Sequence, residues 1–185
     1  DNGGSFAGTG YSVIMNGATS SINGSGVLTL PGLQIGTTTG PADATCTLNR
    51  NVTAGSLNIS AAAHNRYLYL NGKTLNVTGD ATLNQPTANI MYSMLSVDSG
   101  TCTVNGNLVF AGTSNITTRV CSITATNGTI NLNGDITWMA NTGTATEVIS
   151  VGKGTLNFAN SINLTSQTGT IAVTDSGTVN FNNTS

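Results

Sequence analysis

One phrase recurs six times along this chain of 185 residues. It reads "ATCTLNRNVTA" at 44, "KTLNVTGDATL" at 73, "GTCTVNGNLVF" at 100, "GTINLNGDITW" at 128, "GTLNFANSINL" at 154 and a shortened "GTVNFNNTS" at 177. Repetition at intervals of 23 to 29 residues narrows the possible folds, because each unit is too short to bury a core alone and must stack on its neighbours. Taking the first residue of each phrase as an anchor, the apolar residues alternate strictly. Two places on stand Cys46, Leu75, Cys102, Ile130, Leu156 and Val179. Four places on stand Leu48, Val77, Val104, Leu132, Phe158 and Phe181. A period of two is that of a strand with one face turned inward.

A corner of Gly, Asn and Asp follows each strand, as in Thr78-Gly79-Asp80 and Asn133-Gly134-Asp135, where positive φ is cheap. A second short strand then turns Val52, Ala81, Leu108, Ile136 and Ile162 inward, followed two residues later by Leu83, Phe110, Trp138 and Leu164. A third strand carries the inward pairs Leu68/Leu70, Leu95/Val97, Ile123/Ala125, Ile149/Val151 and Ile171/Val173. Three strands and three corners per unit predict an all-β, parallel β-solenoid of about five rungs over residues 44–185, each rung about 4.8 Å from the next. Right-handed coiling is expected from the usual hand of parallel crossovers. No sustained 3.6-residue pattern predicts a helix. Residues 1–43 alternate less regularly, with Pro31 interrupting the second run, and are expected to form an irregular first rung and cap.

Only 6% of residues are charged and the net charge is -2, so neither a basic stripe for nucleic acid nor a cationic membrane face is present. No apolar run approaches the roughly 20 residues of a membrane helix. Nine Asn-x-Ser/Thr sequons, among them Asn23, Asn76 and Asn127, permit glycosylation in a host that secretes the chain. The residues that could carry chemistry are sparse. His64 is the single histidine and has no paired nucleophile in the sequence. Asp80 and Asp135 share a corner position two rungs apart, about 10 Å, a spacing seen in inverting carbohydrases. Asn107 stands between them, and Gly-Asp is ordinary corner chemistry. Cys46, Cys102 and Cys121 are expected as buried core thiols, with Cys46 and Cys102 in one column too far apart to pair. No enzyme activity, metal site or cofactor is expected.

What distinguishes the chain is the outward face of the first strand. One place after each anchor stand Thr45, Thr74, Thr101, Thr129, Thr155 and Thr178. Three places after it stand Thr47, Asn76, Thr103, Asn131, Asn157 and Asn180. Threonine suits a strand, and stacked asparagines hydrogen-bond between rungs, so these two files are a ladder that is either structural or a binding surface.

The phrases "KTLNVTGDATL" and "GTINLNGDITW" resemble the repeats of autotransporter passengers and other bacterial surface adhesins, a likeness that covers residues 44–185. It implies a non-catalytic structural or adhesive module at the cell surface or outside the cell, with a host or surface ligand as partner. The threonine file also resembles the flat arrays of antifreeze β-solenoids, although Asn131, Asn157 and Asn180 depart from a strict Thr-x-Thr pattern. Ice binding and carbohydrate recognition on a polar face are the alternatives. The last phrase supplies one strand of a rung and leaves Val179 and Phe181 to be covered. Either the chain is a piece of a longer passenger, or a second copy covers them by strand addition, with "GYSVIMNG" and its Tyr11, Val13 and Met15 as the expected counterpart, giving a head-to-tail fibre.

Overall fold

A computed structural model describes residues 11–40, 42–112, 116–139, 147–160, 162 and 169–182. The first rung is β1 (Val13–Met15), β2 (Ser20–Ile22) and β3 (Val27–Leu30). The second is β4 (Leu33–Ile35), β5 (Ala44–Leu48) and β6 (Asn51–Ala54). The third is β7 (Leu57–Ile59), β8 (Arg66–Tyr69) and β9 (Thr74–Val77). Then come β10 (Ala81–Asn84), β11 (Met91–Ser96) and β12 (Thr101–Val104), followed by β13 (Leu108–Ala111), β14 (Arg119–Ala125) and β15 (Thr129–Leu132). The sixth rung is β16 (Ile136–Thr137), β17 (Glu147–Val151) and β18 (Thr155–Phe158). Finally, β19 (Thr170–Val173) and β20 (Thr178–Phe181) continue the stack, while Ile162 bridges Ile136.

Every third strand pairs in parallel, so the chain winds three sheets into one solenoid: β1-β4-β7-β10-β13-β16, β2-β5-β8-β11-β14-β17-β19 and β3-β6-β9-β12-β15-β18-β20. These are called the β1, β2 and β3 sheets. Six three-stranded rungs replace the expected five or so, because residues 13–54 supply two of them in register with the rest. Among the described residues no helix is long and apolar enough to cross a membrane.

Alternation puts one side chain in two into a continuous core. Leu75, Cys102, Ile130 and Leu156 form one fully buried column of the β3 sheet, and Val77, Val104, Leu132 and Phe158 the next. The expected inward pairs of the third strand occupy the β2 sheet, buried from Leu68 to Val151; at the far end Ile171 packs against the core and Val173 is half-exposed. Leu164 lies outside the described residues. Aromatic rings stack from rung to rung, Phe110 on Trp138 at 4.9 Å and Phe158 on Phe181 at 5.2 Å.

The corners stack too. A Cβ on Gly134 would overlap the backbone carbonyl of Gly106, and one on Gly154 that of Gly128. Corner backbones approach more closely than any side chain permits, so glycine is required at these positions by packing.

The phrase at 44 sits in a different sheet from its apparent equivalents. The sequence aligns Ala44–Leu48 with Thr74–Val77, yet β5 pairs with β2 and β8 in the β2 sheet. It is β6 that pairs with β9, Val52 facing Leu75 and Ala54 facing Val77. Thr45 is therefore not a member of the threonine file, and Asn51 takes its place beside Thr74. Cys46 stands in register with Leu68, not in the column of Cys102. Both corners of this rung are short and polar, Asn49-Arg50 and Gly55-Ser56, so an apolar alternation followed by a polar corner matches either sheet equally well.

Candidate functional site

The outward side of the β3 sheet carries the predicted ladder from rung three onward. Thr74, Thr101, Thr129, Thr155 and Thr178 stand in register, one per rung. Beside them runs Thr29, Thr53, Asn76, Thr103, Asn131, Asn157 and Asn180. The second file is hydrogen-bonded from Thr103 to Asn180. Asn131 Nδ2 donates to Thr103 Oγ1 at 3.1 Å, Asn157 to Asn131 Oδ1 at 2.7 Å and Asn180 to Asn157 Oδ1 at 2.7 Å.

Other asparagines do the same at the corners. Asn105 donates to Asn76 and Asn133 to Asn105, while Asn49 donates to Asn23 and Asn71 to Asn49. Asn84 reaches back to Asn58. The inner members Asn49, Asn105, Asn131 and Asn157 both give and take, so a polar stripe ties each of these rungs to the one before it.

Asp80 and Asp135, weighed as a catalytic pair, belong to another such ladder, Asp80 through its carboxylate and Asp135 through its backbone N–H. Asp80 Oδ1 accepts the Asn107 backbone N–H at 2.7 Å, and Asn107 Oδ1 accepts that of Asp135 at 3.1 Å. This is corner fastening, as the turn reading of Gly-Asp implies.

His64 lies near a carboxylate that the sequence did not pair with it. Its Nδ1 is 3.8 Å from Asp43 Oδ1. Asp43 also accepts from the Asn65 backbone N–H at 2.9 Å and from Asn65 Nδ2 at 3.1 Å. The Asn65 side-chain bond is the main reason the Asp43 carboxyl is held below its ordinary value. Stability from this group is therefore present above the ordinary carboxylate pKa, and is lost as pH falls through the lowered one. Asn65 Oδ1 in turn accepts the Tyr92 N–H, so three rungs are laced together.

Next to it, Arg66 points inward and is fully buried. It donates to the carbonyls of Ala42 at 2.7 Å, Asn65 at 3.0 Å and Thr37 at 3.0 Å. Gly36 leaves room for it, since a Cβ there would overlap the guanidinium. Arg50 plays a similar part, donating to Ser25 O at 2.7 Å. The sequence signal that Arg66 faces the core is its period-two register with Leu68.

The three thiols are buried and unpaired. Burial pushes Cys46 up to about 11 and Cys102 up to about 12, and it raises Cys121 further. They remain protonated and unreactive at neutral pH. Among the described residues no group of three His, Cys, Asp or Glu is placed to hold a metal ion.

Of the expected assembly residues, Val13 and Met15 pack partly against the core from β1, the end strand of its sheet, and Tyr11 is exposed. Val179 packs partly on the core from β20, whereas Phe181 is 66% exposed beyond its stack on Phe158. The two groups lie in different sheets, β1 and β3, and are not brought together. Neither a protein-family model nor a curated protein nor a solved structure matches the chain.

Proposed function

We propose that this chain is a non-catalytic structural or adhesive β-solenoid module that works outside the cell and extends by end-to-end association. The observation behind this reading is the set of rung-to-rung ladders, with Asn131, Asn157 and Asn180 the longest described run of side-chain donors and acceptors. Side chains fastened to one another form a stiff rod with regular faces. Asp80, one of the two carboxylates best spaced for catalysis, is engaged at a corner by the Asn107 backbone N–H, which supports a non-catalytic role. The low charge and the sequence resemblance to surface adhesins support the location.

At the far end of the stack, Phe181 and Val173 expose apolar surface that a further rung would cover, whether it comes from the same chain or another. Coaxial stacking of a second copy sets its β3 on β20, so Leu28 and Leu30, rather than Val13 and Met15, continue the columns of Val179 and Phe181. Burying two such side chains is worth about 3–6 kcal/mol. The purified chain is expected to sediment as oligomers, and the double variant Val179→Asp, Phe181→Asp as a monomer that still folds. A monomeric parent at high concentration would rule out the association.

A second reading draws on the five in-register threonines, whose regular spacing, one per rung, suits an ordered layer of water. If this face binds ice, Thr129→Tyr abolishes thermal hysteresis with the circular dichroism spectrum unchanged. Absence of hysteresis and ice shaping in the parent protein ends this reading.

A further inference from the structure

The outward face of the β2 sheet has a different character from the threonine and asparagine files. Three of the chain's four tyrosines gather on it. Tyr67 and Tyr69 lie two residues apart on β8 and so point the same way, with ring centroids 5.9 Å apart and planes inclined by 31°. Tyr92, on β11, is in register with Asn65, one rung along and two residues behind Tyr67. The step from Tyr69 to Tyr67 runs along the strand, about 6.6 Å, whereas that from Tyr67 to Tyr92 also crosses one rung of about 4.8 Å, so the three rings form a bent row about 14 Å long. Tyr92 is 40% exposed and the other two are half-buried. The Tyr67 hydroxyl is raised by burial and then by Tyr69, Asp43 and Tyr92, which places each of them within electrostatic reach of Tyr67.

Beside Tyr69 opens a groove of about 410 Å³ lined by Thr47, Asn71, Ser96 and Asp98 as well as the ring itself. Among the described residues no Lys or Arg lines it. The platform is stiff at both margins. The ladder from Asp43 through Asn65 to Tyr92 secures the start of its strands, and that from Asn23 through Asn49 to Asn71 secures their ends.

We propose that this face binds a neutral polysaccharide, whose sugar rings stack on Tyr67, Tyr69 and Tyr92 while its hydroxyls hydrogen-bond to Asn71, Ser96 and Asp98 in the groove. The C–H face of a sugar ring meets the electron-rich face of an aromatic ring, and a row of such rings suits a linear chain of sugars. A carboxylate with no cation beside it disfavours an anionic polymer. A lining of amide, hydroxyl and carboxylate groups suits a hydroxyl-rich chain better than an apolar peptide. Asn71, already held by Asn49, loses little freedom on binding.

The proposal rests on the adhesive part of the reading above and is tested apart from it. The intact protein is passed over insoluble cellulose, chitin and mannan. Retention on at least one is expected. Tyr67→Ala and Tyr69→Ala each weaken it about tenfold, as loss of a stacked ring does. Tyr67→Phe and Tyr69→Phe keep most of the affinity, and Thr129→Ala, on the β3 sheet, leaves it unchanged. Circular dichroism establishes that the alanine variants are folded. No retention on any of the three polymers, or undiminished retention of the folded Tyr67→Ala, Tyr69→Ala double variant, overturns the proposal. Either result in a protein that still assembles end to end removes the glycan face alone and leaves the rod intact.

Discussion

Phe158→Ala is expected to lose about 3–5 kcal/mol of folding stability, the range for deleting a buried aromatic ring. Phe158 is 2% exposed, continues the column of Val77, Val104 and Leu132, and stacks on Phe181. Truncation removes contacts with the rung on either side. The cavity cannot close, because the backbone spacing is set by the ladders of three sheets. Asn157→Ala, one residue earlier and facing outward, removes a hydrogen bond in each direction, from Asn180 and to Asn131. Those are worth about 1 kcal/mol each. Urea melts of the two variants compare them directly, and equal losses would mean that inside and outside have been exchanged.

The second large effect is expected at Arg66. Arg66→Ala strands the carbonyls of Thr37 and Ala42 in the long connection between β4 and β5, and that of Asn65 just before β8, which the guanidinium joins. Hydrogen bonds from a charged donor contribute about 1.5–3 kcal/mol each but do not add fully, so a loss of about 2–4 kcal/mol is expected. Arg66→Lys recovers little, since a single ammonium cannot reach carbonyls from both sides as the planar fork does. The same melts decide it. A change below about 0.5 kcal/mol would mean that the connection holds itself in place without the arginine.

The sequence by itself determined the solenoid. Strict alternation, polar corners and a repeat of under 30 residues leave no other way to bury Leu75, Ile130, Leu156 and their equivalents. It also separated inward from outward residues in the regular rungs, since side-chain direction follows from period two alone. Tertiary structure decided which strand lies on which. The phrase at 44 obeys the same local pattern as the later ones, yet Cys46 faces Leu68 and Val52 faces Leu75. Corner lengths choose between those alignments, and a corner of two residues looks polar in either sheet. Tertiary structure also assembled the tyrosine face. Tyr67 and Tyr69 are legible as neighbours, but Tyr92 joins them only because β11 stacks on β8 with Ser93 opposite Arg66. Local periodicity is a property of the chain, whereas register between rungs is set by how unequal corners and loops close, and that requires the whole stack.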